Sequence, residues 1–381
     1  MSSLIKSKTD ITKKTHIEID LNAIKQNILA IKERVDQKKI LLAVKADGYG
    51  HGAVKVSRMV EENKLCDTLG VSSPQEGIEL REAGIKLPIL ILGLILPDRD
   101  VINTILNYDL EQTVADLRLS REISLAAKER KKKAVLHLKI DTGMGRIGCP
   151  PGEAIEIGKA IYELDNVQLK GIFSHFPVSD DPDSDFTRKQ IEKYKSIITE
   201  FERIGINIPL KHMANSAGIL NYKESIFNMV RPGLIAYGYR PSKNCDSNIK
   251  LIPSMSLKSY IIFFKRVKKD AALSYGLTYK TGSDTNIATI PVGYGDGYSR
   301  FLSNKGKVII NNKLYPVAGR VCMDQILIDL GNDVYPLGEE VILFGNNIIT
   351  AENIAELIGT IPYEVTCAIS KRVQRVYLPV S

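Results

Sequence analysis

The stretch Leu41-Leu42-Ala43-Val44-Lys45-Ala46-Asp47-Gly48-Tyr49-Gly50-His51-Gly52 places a lysine where an apolar, strand-forming run stops and three glycines crowd around a tyrosine and a histidine. A lysine at the end of a buried strand loses hydration. That lowers its pKa from about 10.4 and frees a neutral amine to attack carbonyl groups. This is the chemistry of a Schiff base. The plainer alternative is a surface lysine beside a glycine turn, and the two differ in whether the rest of the chain supplies what a reactive lysine needs.

The elements that must position Lys45 read as alternating strands and helices. Residues 15–20 alternate like a half-buried strand, with Asp20 at the N-cap of a helix over 21–35 that aligns Ile24, Ile28 and Ile31 on one face. Strand candidates at 40–45, 68–72, 89–93, 112–115, 135–140, 169–174, 210–213 and 229–234 are expected to be buried. Helical stretches lie between them near 54–63, 74–83, 98–107, 117–132, 152–163, 187–204 and 216–222. Eight such strands separated by helices predict an α/β fold, a parallel (β/α)8 TIM-type barrel, with an open doubly wound sheet as runner-up.

Past Tyr237 the texture changes. Residues 241–248 are polar and linker-like, and short β-rich runs follow at 256–267, 286–292, 307–310, 314–318, 325–329 and 340–344, interrupted by one short helix at 351–358. The expected organisation is a barrel over 15–245 followed by a mostly β C-terminal domain over 246–381. The first strand is a candidate to pair with that second domain.

Composition narrows the function classes. The 381 residues, 44% of them hydrophobic, suffice for a large domain and a smaller one. The first fourteen residues carry Lys6, Lys8, Lys13 and Lys14 and lack the apolar stretch of a signal peptide, and the longest apolar run, 89–96, is too short to cross a bilayer. Secretion and membrane insertion are therefore not expected. The five cysteines are widely separated and form no CxxC pair, which fits a reduced, cytoplasmic compartment and no metal site. The net charge of +8 is spread over the N-terminal tail, residues 128–133, Lys371, Arg372 and Arg375 without a nucleic-acid-binding motif, so no nucleic-acid partner is expected.

In a barrel the active site gathers at the C-terminal ends of the strands. Here those ends are polar: Lys45 after the first strand, Lys139 and Arg146 around Asp141-Thr142-Gly143-Met144-Gly145 after the fifth, His175 after the sixth, Asn215-Ser216 after the seventh and Arg231-Pro232-Gly233 after the eighth. Such ends cap a core poorly and suit an anionic cofactor. The segment after the eighth strand is where barrels commonly hold phosphate on bare backbone N–H groups, and Gly233 permits close approach. In isolation Arg-Pro-Gly is also an ordinary turn, Ser216 a helix cap, His175 a structural histidine and Tyr275 a packing residue.

Ala43 to Gly52 resembles the pyridoxal-phosphate lysine motif of alanine racemases. Further blocks resemble that family in order: Lys139 to Arg146, Gly171 to Phe176, His212 to Ala217, Met229 to Gly233, Leu273 to Tyr279, Val292 to Tyr298, Gly319 to Asp324 and Pro362 to Val365. The likeness runs from about Ile17 to Arg375, departing at Lys371 and Gln374, which replace an aromatic and a proline. It implies pyridoxal 5'-phosphate on Lys45, with its phosphate bound by Tyr49, Ser216, Tyr363, Gly233 and Leu234. It also implies Arg231 at the pyridine nitrogen, His175 stacked on the ring, and Arg146 on the ring oxygen and the substrate carboxylate. Met323 adds a backbone contact to that carboxylate, and Lys139 is open to carbamylation so that it can orient Arg146.

Racemisation requires proton removal on one face and return on the other. The resemblance assigns these to Lys45 and to Tyr275 reaching in from the partner subunit of a homodimer with shared active sites. The implied reaction interconverts L- and D-alanine, supplying D-alanine for peptidoglycan. The alternatives are a serine or broad-specificity racemase, a pyridoxal-phosphate decarboxylase of the same plan, and a cofactor-carrying barrel without turnover. Arg231 at the ring nitrogen and the block around Met323 oppose the decarboxylase. The presence of the Tyr275 domain opposes the carrier.

Overall fold

The computed structural model describes residues 15–246, 248–345 and 348–380, so the basic tail read in the sequence lies outside the described residues. The chain forms two compact units, one over Ile24–Ile252 and one that joins the start of the chain through Ala23 to Pro253 and beyond.

After β1 (His16–Asp20) come the barrel strands: β2 (Lys39–Ala43), β3 (Thr68–Val71), β4 (Ile89–Ile91), β5 (Glu111–Val114), β6 (Ala134–Lys139), β7 (Val167–Phe173), β8 (Leu210–His212) and β9 (Met229–Val230). They pair in sequence order and close on themselves, β2 against β9 in parallel, with Lys39 opposite Met229. The TIM-type barrel, not the open sheet, is the architecture. Helices cover the outer faces of the strands while side chains fill the inside, so every residue of β3, β4 and β5 is buried, the apolar β4 and the mostly polar β5 alike. The covering helices are amphipathic. The longest, Asp185–Arg203, buries Ile191, Tyr194, Ile197, Ile198 and Phe201, and Ser184 caps its start by accepting the Thr187 N–H.

The second unit is mostly β. A six-stranded sheet runs β16-β15-β18-β10-β1-β19, a three-stranded sheet β11-β14-β17, and β12 pairs with β13. These strands are β10 (Met255–Tyr260), β11 (Phe263–Val267), β12 (Ala272–Leu273), β13 (Tyr279–Lys280), β14 (Thr285–Ile290), β15 (Lys307–Ile310), β16 (Lys313–Pro316), β17 (Ile326–Gly331), β18 (Glu340–Phe344) and β19 (Gln374–Leu378). β1 lies antiparallel to β10 and parallel to β19.

Several details differ from the sequence reading: the run at 229–234 is a strand only over Met229–Val230, and the short strands β12 and β13 lie outside the expected runs. The run at 256–267 is two strands in different sheets, broken at Ile261 and Ile262. A second short helix, Pro362–Cys367, and the strand β19 follow the helix Ala351–Ile358. The run expected at 40–45 ends as a strand at Ala43, because the backbone leaves the β region before Lys45. Among the described residues no helix is long and apolar enough to cross a membrane, and no group of His, Cys, Asp and Glu side chains is arranged to hold a metal ion.

Candidate active site

Lys45 is half-buried and opens a left-handed turn over Lys45–Tyr49, in which Ala46, Asp47, Gly48 and Tyr49 have φ of 52°, 53°, 61° and 54°. Side chains disfavour this conformation by about 1–2 kcal/mol per residue. Hydrogen bonds hold it in place. Ala46 N–H donates to Glu76 Oε1 at 2.7 Å, Gly48 N–H to Val44 O at 2.8 Å, and Ala53 N–H to Asp47 Oδ1 at 2.8 Å. The other oxygen of Glu76 accepts from the backbone and hydroxyl of Ser72, anchoring the turn to the end of β3. Strain maintained by its surroundings is typical of a functional position.

The turn delivers Tyr49 to Gly233. A Cβ built on Gly233 would sit 2.5 Å from Tyr49 Oη, so only glycine fits there. Gly233 N–H donates to Ser216 Oγ at 3.0 Å and Ile235 N–H at 3.5 Å, with Leu234 buried between them. Ser216 opens the helix Ser216–Asn221, which Asn215 caps by accepting the Gly218 N–H at 2.8 Å. Two hydroxyls and backbone N–H groups thus converge beside Gly233, where the missing side chain leaves the backbone open to close approach. That donor set fits a phosphate.

Arg231 is buried just past β9. Its Nη1 donates to His212 O at 2.8 Å, and its Nη2 to Ser174 O at 2.7 Å, Met213 O at 3.0 Å and His175 Nδ1 at 3.3 Å. No carboxylate pairs with it among the described residues. Burial lowers its pKa to about 10, which leaves it protonated at neutral pH. Because a guanidinium only donates, His175 Nδ1 must accept, and a neutral His175 then carries its proton on Nε2. Burial, and then the charges of Arg231, Lys139, Arg146 and Lys45, hold the His175 pKa well below its ordinary value, so the ring is neutral. An arginine without an acid partner fits a ring nitrogen that accepts a hydrogen bond.

Lys139 ends β6 with its ammonium 5.3 Å from the centre of the Phe173 ring. Burial, together with Arg231, Arg146 and Lys45, pushes its pKa down to about 7. Arg146 is exposed at the rim of the following loop, whose turn is built on Asp141 Oδ1 accepting from Gly143 N–H and Gly145 N–H, each at 3.0 Å. The barrel mouth therefore gathers Lys45, Lys139, Arg146 and Arg231. Asp47, Glu76 and Asp141 near the same strand ends accept backbone N–H groups, and the basic side chains suit the mouth to an anion.

Tyr275, Met323 and Tyr363 belong to the second unit. Tyr275 is 68% exposed on a turn where Ser274 and Gly276 have φ of 65° and 70°, pinned by Ser274 Oγ donating to Arg320 O at 2.8 Å. Met323 is 53% exposed, and its carbonyl accepts the Gly295 N–H at 2.9 Å. Arg372 binds Asp296 at 2.7 Å and Asp324 at 2.9 Å, so the blocks 292–298, 319–324 and 370–373 form one cluster. Tyr363 is half-buried on the helix Pro362–Cys367.

Sequence reasoning missed Glu111 and His137, and gave His212 no role. All three lie inside the barrel and are hydrogen-bonded in series to Arg231. The available signal was an imidazole inside the otherwise apolar β6 and a carboxylate at the start of the polar but buried β5.

The description "alanine racemase, N-terminal domain" matches residues 19–241, and "alanine racemase, C-terminal domain" matches residues 254–377. An alanine racemase of Clostridium novyi (strain NT) is 44% identical over 369 residues, covering 95% of this chain and 94% of that protein. Among solved structures, the alanine racemase of Clostridium difficile 630 superposes with a TM-score of 0.91 at 40% identity, covering 97% of each chain. Its complex with cycloserine superposes with a TM-score of 0.90 at 39% identity, over 97% of this chain and 96% of that one.

Proposed function

The chain belongs to the alanine racemase family, and on that premise we propose that it interconverts L-alanine and D-alanine with pyridoxal 5'-phosphate held at the barrel mouth. The observation that carries this reading is the pairing of Lys45, on a strained and anchored turn, with a buried Arg231 that has no acid partner among the described residues. When bound, the cofactor supplies an electron sink that acidifies the substrate α-C–H.

In this reading Lys45 Nζ attaches the cofactor and serves as the proton acceptor on one face of the substrate. Tyr275 Oη, from the partner subunit of a homodimer, serves the other face. Tyrosine has an ordinary pKa of about 10 and needs tuning to act at neutral pH. His175, with Nε2–H free to donate, is the group proposed to do so. Arg231 donates a hydrogen bond and keeps its proton, which leaves an opposing ring nitrogen neutral. Tyr49, Ser216, Tyr363 and the N–H groups of Gly233 and Leu234 bind phosphate, and Arg146 and Met323 receive the substrate carboxylate. The barrel, over 15–245, thus binds the cofactor, and the β-rich part, over 246–381, contributes to the partner's site. Location in the cytoplasm and supply of D-alanine for peptidoglycan belong to the same proposal.

Circular dichroism of each enantiomer of alanine and of serine, incubated with the purified protein and pyridoxal phosphate, tests the reading. Loss of optical activity with alanine from either side is expected. Unchanged alanine, or faster loss with serine, would overturn the substrate assignment.

The Ser216→Ala and Tyr363→Phe variants should each weaken cofactor retention by about 1–3 kcal/mol, the loss typical of a charge-assisted hydrogen bond. Equilibrium dialysis against pyridoxal phosphate reads this directly. Equal affinity in both variants and wild type would remove these residues from the phosphate site.

Lys139 should form a carbamate. Its amine, half neutral near pH 7, attacks carbon dioxide, forms an N–C bond and releases a proton, which turns Lys-Arg repulsion into attraction toward Arg146. Because only the neutral amine reacts, the adduct at fixed carbon dioxide pressure should rise as pH increases through about 7. Carbon-13 NMR with labelled carbon dioxide should show a carbamate resonance that Lys139→Ala lacks. A wild-type spectrum without it would refute the modification.

A further inference from the structure

Among the described residues Arg231 has no carboxylate beside it, yet the hydrogen-bonded chain behind it ends on one. Arg231 Nη1 lies 3.1 Å from His212 Nδ1, His212 Nε2 lies 3.1 Å from His137 Nδ1, and His137 Nε2 lies 3.0 Å from Glu111 Oε2. Lys170 Nζ binds the other oxygen of Glu111. Glu111 opens β5, His137 sits within β6, His212 ends β8 and Arg231 follows β9. The chain therefore climbs the inside of the barrel from the N-terminal ends of the strands to the mouth.

Only one proton arrangement satisfies every link. A guanidinium donates and never accepts, so His212 Nδ1 accepts from Arg231. A neutral His212 then holds its proton on Nε2 and donates to His137 Nδ1. His137 likewise holds its proton on Nε2 and donates to the Glu111 carboxylate. Complete burial favours the neutral form of both rings. Burial also works against the Glu111 charge, but its bonds to His137 and Lys170 outweigh that and keep it ionised.

The barrel is shaped around these rings. Gly171 on β7 faces His137, and a Cβ there would lie 2.1 Å from His137 Nδ1, so the ring occupies the place of a side chain. Phe173 stacks on His212 with ring centres 4.8 Å apart and planes within 7°, and the Arg231 guanidinium lies 5.1 Å from the same phenyl centre.

We propose that Glu111 and His137 are positioning residues for Arg231: the carboxylate fixes the tautomers of His137 and His212, and through them the orientation of the guanidinium at the barrel mouth. The same relay gives Arg231 a counter-charge several bonds away instead of in contact, which keeps an acid away from whatever Arg231 binds. Replacing Glu111 by glutamine tests the link. With its oxygen engaged by Lys170, the amide must donate to His137 Nε2. That places the His137 proton on Nδ1, against His212 Nε2–H, and the conflict passes to Arg231.

The tautomer assignment stands on geometry alone, whereas its effect on turnover rests on the racemase reading, so both are measured. Nitrogen-15 NMR of the histidines in the holoenzyme should show Nε2 protonated and Nδ1 bare in His137 and His212, with a nitrogen–nitrogen coupling across the hydrogen bond between them. Glu111→Gln should lose that coupling and lower kcat for alanine about 10- to 100-fold, the scale of a misplaced site group, with KM little changed and cofactor still bound. Glu111→Asp should restore the coupling and part of the rate. A wild-type spectrum with protonated Nδ1 in either ring, or a folded Glu111→Gln variant with unchanged kcat, would overturn the proposal. Should Glu111→Gln fail to fold, the wild-type spectrum decides alone. A wild type with the expected spectrum but no alanine turnover would overturn the racemase reading and leave the relay intact.

Discussion

Replacing Lys45 with alanine is expected to abolish covalent retention of pyridoxal phosphate and racemisation together. The lysine is asked to do two things, to attach the cofactor and to take a proton, and a positioned base by itself contributes about 10²- to 10⁴-fold. The loss should therefore exceed that range. Folding should survive, because Lys45 is only half-buried and the turn that carries it is held by Glu76 and Asp47 through backbone N–H groups that alanine leaves unchanged. The rival for attachment is Lys139, whose amine is partly neutral near pH 7. Borohydride reduction and peptide mapping separate the two lysines. A pyridoxyl label on Lys139, with activity persisting in Lys45→Ala, would remove Lys45 from the centre of the chemistry.

Tyr275→Phe should be nearly as damaging to turnover while sparing the attached chromophore. Phenylalanine keeps the ring, and the turn is fixed by Ser274 and Gly276 rather than by the hydroxyl. The expected fall is at least about 10²-fold, and it should strike both directions, since one of two proton partners is missing. Subunit mixing adds a test of assembly. If the tyrosine serves the neighbouring site, a heterodimer of Lys45→Ala with Tyr275→Phe holds one site with both lesions and one with neither, so activity should return toward half that of wild type. A proven heterodimer that stays inactive would place both groups on one chain.

The parts of the molecule that were legible are those whose residues are locally determined. Strands such as β2 and β4 are apolar runs because both their faces are covered, and helices between strands, such as Asp185–Arg203, show one apolar face. Legibility failed where distant partners decide. β19 alternates half-exposed and exposed positions with no buried residue, so nothing in Gln374–Leu378 alone marks a strand; its pairing with β1 does. Lys45 was read as a strand end because Val44 looks like strand, while the left-handed turn depends on Glu76, well removed in sequence. Glu111 and His137 looked like isolated polar residues because their partners lie on other strands. The residues at the mouth were found through motifs. Those supporting them from beneath had no motif to display.

The position of β1 constrains how this protein can be made. The barrel unit is contiguous in sequence, and at about 5–20 residues per second it can close on the ribosome as soon as Ile252 has emerged. β1, synthesised first, has no such option. It lies between β10 and β19, so one edge finds a partner only after the barrel residues are made and the other only when β19 leaves the exit tunnel. Until then β1 keeps an unpaired edge, and the interval before β19 arrives is when capture by another nascent chain competes with correct closure.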